Sequence, residues 1–346
     1  MAGEAPFTSR EVSLTLPGAG PQCVPLAISK PCRDLPCEEM KSVYRKFRRM
    51  FRDSLLKRGL VHLETAVRAE IELAQKTSVA SKTGQLGLVQ TWRSQLHRKE
   101  PLPCFRDVEF RAFSQNGEDG ILLYIFSLIG PKNKICVEIC AGDGIQCNSA
   151  NLILNHGWTG LLIDGNEKLV QRGKAFYSNH PDTFSFPPKF AHAWIDRETV
   201  NALIAGHGIE GEIDLLSIDL DGVDYWVWEA VEVISPRVVV AETQCIWGAE
   251  RSVSVPYRRD FKSPLIRGFG VYSGASLPAF VRLARRKGYR LVGTQALGFN
   301  AFFVRNDIGV DVLPEASAAV CLDHPFVHWA SRELLPLVRD KEWVDV

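Results

Sequence analysis

The sequence predicts an α/β fold: a doubly wound, mostly parallel sheet closed by an antiparallel hairpin, with an N-terminal helical segment. Three observations carry this. Short apolar runs alternate with stretches of helical period from about Lys134 onward. Consecutive strands are separated by roughly ten residues of helical period, which implies right-handed crossovers and a parallel sheet covered on both faces. The last two strands are split by only a few residues around Gly298, too few for a parallel crossover, so an antiparallel hairpin is expected there.

Taken in order, residues 1–37 mix Pro, Gly and small residues without a sustained period and read as a loosely ordered arm. From Glu38 the residues Val43, Phe47, Met50, Phe51 and Leu55 recur at three- and four-residue steps. Leu60, Leu63, Val67, Ile71 and Ala74 repeat that spacing, and a third helical stretch is expected over 86–96. Residues 38–104 are therefore expected to form a helical cap or dimerisation segment, broken by Pro101-Leu102-Pro103. The main domain is placed at 105–306 and opens with a buried helix over 119–126. Strands are expected over 135–140, 160–163, 190–195, 213–219 and 237–242, and helices over 147–156, 167–177, 199–205, 223–233 and 276–287. The hairpin is expected from 289–293 and 301–304, and 307–346 reads as a C-terminal tail with a short helix near 331–338.

The 346 residues are 46% hydrophobic and 23% charged, an ordinary globular balance that allows a sizeable core. No apolar run reaches the ~18 residues of a membrane span, and MAGEAPFTSR lacks the basic-then-apolar order of a secretory signal. A soluble, cytoplasmic protein with no membrane partner is expected. Nine cysteines, several inside apolar runs, argue against a disulfide framework, and Cys23, Cys32 and Cys37 lack the further ligands that zinc requires. Residues 41–100 hold 14 basic and 5 acidic residues, whereas 101–346 hold 24 and 30. Arg45, Lys46, Arg48, Arg49 and Arg52 are read as the solvated face of an amphipathic helix, because no aromatic platform is interleaved with them. Nucleic acid is not an expected partner.

The strongest local signal is Val137-Glu138-Ile139-Cys140-Ala141-Gly142-Asp143-Gly144, an apolar strand running into a glycine turn. Gly142 and Gly144 let the backbone approach a ligand closely in the crevice beyond the strand ends. The turn lacks the third glycine of the dinucleotide fingerprint, and Glu138 and Asp143 would repel a pyrophosphate, which counts against a nicotinamide-dependent oxidoreductase. The same acidity suits a cationic ligand. Asp164, ending the second strand, is read either as an acceptor for ribose hydroxyls or as the N-cap of the next helix.

Asp219, Asp221 and Asp224 crowd the end of the fourth strand. Asp219 and Asp221 are expected to act as a general base or to hold a divalent metal, Mg2+; the alternative is a turn at Asp221-Gly222 with Asp224 capping the next helix. Glu242, ending the fifth strand, is either half of a structural ion pair or an acceptor-site carboxylate. The long stretch from Glu242 to Ser276, with Tyr257, Arg258, Arg259, Tyr272 and Ser273, is expected to be a lid or substrate wall.

The string from Glu138 to Gly144, Asp164 and the closing hairpin together resemble the Rossmann-like class I S-adenosylmethionine-dependent methyltransferases. Ser114-Gln115-Asn116-Gly117-Glu118-Asp119-Gly120 and Ser217-Ile218-Asp219-Leu220-Asp221-Gly222 are similar to the FkbM-type branch. The likeness covers roughly Phe113 to Arg305. It implies an enzyme that binds S-adenosyl-L-methionine through Gln115, Glu138, Gly142, Asp143, Gly144, Asp164, Asn166 and Asp196. Glu138 and the two glycines would face the amino-acid part, Asp164 the ribose, and Asp196 the adenine. Asp196 also precedes a helix, and capping that helix is its preferred role here. Cys140 stands where many relatives have glycine, which implies a tighter loop. Asp219, Asp221 and Glu242 are the catalytic candidates, and the methyl is expected to pass to a hydroxyl, less readily an amine, of a small metabolite such as a sugar or natural product. The competing reading is a non-catalytic partner protein that binds the cofactor and uses the basic helical segment as its interface. A homodimer through the N-terminal helices fits either.

Overall fold

The computed structural model describes residues 79–346 except 267 and 269; the expected arm, the helical stretches over 38–74 and Cys23, Cys32 and Cys37 lie outside the described residues. Helices α1 (Val79–Arg98), α2 (Phe105–Val108) and α3 (Glu118–Ile129) precede the sheet. Strands β1 (Ile135–Ile139), β2 (Thr159–Asp164), β3 (Lys189–His192), β4 (Gly211–Ile218) and β5 (Ile234–Glu242) alternate with α4 (Ala150–His156), α5 (Glu167–Asn179), α6 (Val200–Gly206) and α7 (Asp224–Ala230). After the two-residue β6 (Val253–Ser254) and α8 (Leu277–Arg286), β7 (Tyr289–Thr294) and β8 (Asn300–Arg305) form the expected hairpin.

The seven strands lie in the order β3-β2-β1-β4-β5-β8-β7. β1 to β5 pair in parallel, and β8 is antiparallel to both β5 and β7. This is a Rossmann-like doubly wound sheet with an antiparallel closure. The order reverses between β1 and β4, and beyond the carboxyl ends at such a reversal these sheets bind their ligands.

Side chains alternate between two buried layers, because a strand has period two. Val137, Ile139, Leu216, Ile218, Val239 and Ala241 pack toward α6, α7 and α8. Cys136, Leu215, Val238, Val240 and Phe302 pack toward α1, α3 and α4. Burial on both faces is what makes these strands read as continuous apolar runs.

At the amino ends of the strands, buried Asp214 accepts the backbone N–H groups of Lys132, Asn133 and Lys134 at 2.6–2.9 Å. It also pairs with Arg237 Nη1 at 2.7 Å. This carboxylate fixes the turn that feeds β1 into the centre of the sheet.

The strand ends differ from the sequence expectation. β5 starts earlier, because Ile234 and Pro236 pair with Gly211 and Ile213 of β4. β3 stops at His192, where the chain turns toward Asp196. The C-terminal region holds more structure than one helix: α9 (Ala318–Cys321), α10 (Pro325–Glu333) and β9 (Val344–Asp345), which pairs antiparallel with β6. α10 begins earlier than expected because His324 accepts the Phe326 N–H as its N-cap and Pro325 occupies the first turn.

Candidate functional site

The alternation of the strands delivers polar residues to one end of one layer. Glu138 and Ser217 sit beside each other in β1 and β4, on the side of α3 and α4. Two residues further along, just past the end of β4 and at the last residue of β5, the same side carries Asp219 and Glu242, and Asn300 faces Glu242 across the β5–β8 pairing. Asp164 occupies the corresponding end of β2. The carboxyl edge of the sheet is therefore a row of buried or half-buried polar groups over an otherwise apolar layer.

The β1 loop is shaped by left-handed backbone at Cys140 (φ +66°), Gly142 (φ +59°) and Gly144 (φ +70°). The two glycines face different surroundings. A Cβ on Gly142 would meet nothing within 4 Å, so its backbone is open to a ligand. A Cβ on Gly144 would lie 2.6 Å from Leu162 Cδ1 and 3.0 Å from Phe190 Cζ, so this glycine lets the loop pack on β2 and β3. Cys140, a non-glycine residue in this region, is strained in a way that clusters at functional sites.

The carboxylates of the loop hold backbone. Glu138 accepts the N–H groups of Asn148 (2.8 Å) and Ser149 (2.7 Å) and so fixes the start of α4. Asp164 accepts from Gly142 N at 2.8 Å through Oδ2 and from Asn166 N at 2.7 Å through Oδ1. The cap of α5 is Asn166, which accepts from Lys168 N and Leu169 N. Asp164 is thus free of the capping role and ties the glycine loop to β2. Asp143 accepts from Ile145 N and pairs with Arg172 Nη1 at 3.1 Å. Gln115 is exposed on the loop before α3, where its carbonyl accepts from Arg111.

Asp196 accepts from Thr199 N (2.8 Å) and Thr199 Oγ1 (2.6 Å) and braces the turn that enters α6, but the N-cap position expected for it is taken by Thr199. Its other oxygen accepts from Arg259 Nε at 2.5 Å. Burial pulls this carboxyl upward, but the bonds from Thr199 and Arg259 outweigh it and hold the group below the usual range.

The third group of carboxylates is Asp219, Asp221 and Glu242, whose nearest oxygens all lie within 4.8 Å of one another. Asp221 has φ +52°, and the loop carrying it is folded back by Asp224, which accepts from Leu220 N (2.6 Å) and Gly222 N (3.1 Å). Asp224 therefore does not serve as the N-cap of α7; Val223 takes that position. Burial, then the charges of Asp224 and Asp221, push Asp219 up to about 7. Burial and the Asp219 charge push Glu242 well above its ordinary value, and the two carboxyls share a hydrogen bond. Burial and mutual repulsion thus raise the proton affinity of both carboxyls together. All three groups are hard oxygen donors, the type a divalent cation prefers.

Three contributors escaped the sequence reading. Asn300 donates from Nδ2 to Glu118 Oε1 at 2.9 Å, and its Oδ1 is buried without a partner. Glu118, fully buried at the start of α3, belongs to the Ser114–Gly120 string; two charges opening an apolar helix were the available signal. Trp194, on the loop after β3, helps line a cavity of about 60 Å³ with Cys140, Asp164, Leu220, Arg259 and Phe261.

No family model matches the chain, and no curated protein matches it. Among solved structures it is similar to magnesium protoporphyrin IX methyltransferase from Synechocystis PCC 6803 with bound SAM, at 11% identity over 54% of this chain and 77% of that one (TM-score 0.34). It is similar to a glycopeptide N-methyltransferase complexed with sinefungin, at 9% identity over 52% and 82% (TM-score 0.34). A mitomycin 7-O-methyltransferase aligns at 15% identity over 51% and 50% (TM-score 0.32). The fold assignment rests on the strand order and registers of this chain, not on these likenesses.

Proposed function

We propose that the chain is a class I S-adenosylmethionine-dependent methyltransferase, of the FkbM type, that methylates a hydroxyl of a small acceptor such as a sugar or natural product. The observation that carries this reading is Gly142 held by Asp164: an unobstructed, left-handed glycine beside a carboxylate, in an acidic crevice at the reversal of strand order. Such a crevice favours a nucleoside bearing positive charge over a pyrophosphate.

The residues present fit that cofactor. Each Asp164 oxygen receives one backbone N–H, and a carboxylate oxygen has capacity for a second bond, so both can still accept ribose hydroxyls. Gly142 leaves room where any other residue would project a side chain. When bound, the cofactor supplies an electrophilic methyl on a sulfonium.

Asp219 takes up the proton of the acceptor hydroxyl, its proton affinity having been brought near neutrality by burial and by Asp224 and Asp221. Glu242, protonated, donates to Asp219 and fixes its orientation. Asp219, Asp221 and Glu242 also fit a divalent ion such as Mg2+, which would keep all three ionised and lower the pKa of the acceptor hydroxyl. A coupled acid–base pair in the crevice favours an enzyme over a non-catalytic partner protein. The basic segment and the dimer contact through N-terminal helices fall mainly on residues outside those described. No described helix is long and apolar enough to cross a membrane.

Calorimetry with S-adenosylmethionine, S-adenosylhomocysteine and NADH tests the cofactor, and product formation over a panel of hydroxylated metabolites tests the reaction. Tight NADH binding with no heat from either adenosyl compound would sink the proposal.

A further inference from the structure

The cavity bounded by Asp164 and Cys140 measures about 60 Å³, against the ~300 Å³ or more that a small-ligand pocket needs. Two of the residues that close it in, Arg259 and Phe261, belong to the segment 256–263. The end of this segment that leaves β6 is fixed: Val255 N donates to Gly274 O at 3.0 Å, Gly274 N to Gly222 O at 2.9 Å, and Trp226 Nε1 to Val255 O at 2.8 Å.

Its middle is held differently. Arg259 pairs with Asp196, Trp194 Nε1 donates to the Arg259 carbonyl at 3.2 Å, and Tyr257 donates to Glu198 beneath the guanidinium of Arg197. All three contacts land on residues 194–198, the loop after β3. On the opposite bank the Phe261 ring lies over Gly222, so close that a Cβ there would sit 2.5 Å from Phe261 Cδ1. The segment thus spans the crevice from the β3 side to the β4 side.

The anchor at its Val255 end is made through the buried backbone groups of Val255 and Gly274, whereas its middle is held by side-chain contacts. Arg259 is 69% exposed over an Asp196 that is 2% exposed, and Arg197 and Glu198 are 42% and 50% exposed. Arg259 returns to water on leaving, and Asp196 keeps its bonds from Thr199, so the middle can lift while the Val255 end stays. A fixed wall needs no such division.

We propose that residues 256–263 form a gate over the cofactor crevice, latched by Arg259 on Asp196, and that the adenosyl group enters by displacing Phe261 from above Gly222. This rests on the cofactor reading above. With the latched state dominant, apparent affinity is the intrinsic affinity multiplied by the open fraction. Loosening the latch therefore tightens binding and speeds association by the same factor.

The test compares the full chain with Arg259→Ala, Phe261→Ala and Gly222→Ala. The last leaves the segment untouched and pushes Phe261 out from below; Gly222 has no left-handed φ, so alanine meets only the ring. Opening without ligand is read by the rate of tryptic cleavage after Lys262, a site all four proteins keep, and binding of S-adenosylhomocysteine by calorimetry and stopped-flow tryptophan fluorescence, with melting curves as the folding control. The expected result is cleavage and association both faster by about threefold in Arg259→Ala, and by tenfold or more in Phe261→Ala and Gly222→Ala, with tighter binding. Faster cleavage with weaker or slower binding would make the segment a wall of the cofactor site and overturn the gate. Unchanged cleavage and binding in all three variants overturns the latch. If none of the four proteins binds S-adenosylhomocysteine although cleavage accelerates, the cofactor reading fails, and the gate with it.

Discussion

Replacing Asp219 by Asn should give a protein that is more stable than the wild type at pH 8 and far less active. The unfolded carboxyl titrates near ~3.9; in the fold it is pushed up to about 7, first by burial and then by Asp224 and Asp221. Between those values the folded state keeps a proton that the unfolded chain has released. Stability therefore falls as pH rises from about 4 to about 7, and above 7 the whole penalty is present. A shift of about three units caps that penalty at about 4 kcal/mol, and Glu242 shares in the same titration, so the relief per residue is smaller. An amide has no charge to desolvate and still accepts the hydrogen bond from Glu242. With roughly 2–4 °C per kcal/mol for a domain of 150–250 residues, the melting temperature should rise by several degrees at pH 8 and by almost nothing at pH 4. Melts of both proteins across that range, in EDTA so that no divalent ion masks the repulsion, read the effect. A difference independent of pH, or a loss of stability at pH 8, refutes the reasoning.

The same variant should hold cofactor affinity within about tenfold and lose turnover on the order of a hundredfold; undiminished turnover removes Asp219 from the chemistry. Asp164→Ala should weaken S-adenosylmethionine by ~1.5–3 kcal/mol for each ribose hydroxyl left without its acceptor, measured by calorimetry, and unchanged affinity puts the ribose elsewhere. Asp214→Ala strips buried Arg237 of its partner and three backbone N–H groups of their acceptor, so urea unfolding should show a loss of about 3–5 kcal/mol. A loss below ~1 kcal/mol would show that the turn before β1 does not depend on it. Turnover abolished by EDTA and restored by magnesium selects the ion-holding role of Asp219, Asp221 and Glu242; turnover indifferent to EDTA selects the proton-accepting role.

The fold was legible where the physics is local. Buried parallel strands must be apolar on both faces and crossover helices must show a 3.6-residue period, so β1, β2, β4 and β5 and the helices between them stand out in the sequence. The hairpin followed from its short connection. The two-residue strands β6 and β9 carry no period to detect, and their pairing joins residues far apart in the chain. In the site, Asp164 and Asn166 stand two apart at one helix start, and only the hydrogen bonds decide that Asn166 caps while Asp164 turns to Gly142. The Thr199 half of Asp196 was readable from an Asp three residues before a Thr at a helix start. Its Arg259 half was not, because 63 residues separate them. Asn300 and Glu118 meet across 182 residues through the register of β8 against β5, which no local pattern encodes.

That register makes the polar edge a matter of parity. Glu138, Ser217, Asp219, Glu242 and Asn300 share a side because each stands an even number of steps from the apolar residues of its strand that pack under α3 and α4. Deleting one residue inside β5, between Val239 and Ala241, would swing Glu242 into the oily layer beneath α7 and α8, and every residue of the site would still be in the chain. Point substitutions along β4 and β5 that preserve bulk should be forgiven, whereas single-residue insertions or deletions in the same stretch should erase the site. A length variant of this protein is then judged by whether the count along each strand stays odd or even, before asking which side chains it retains.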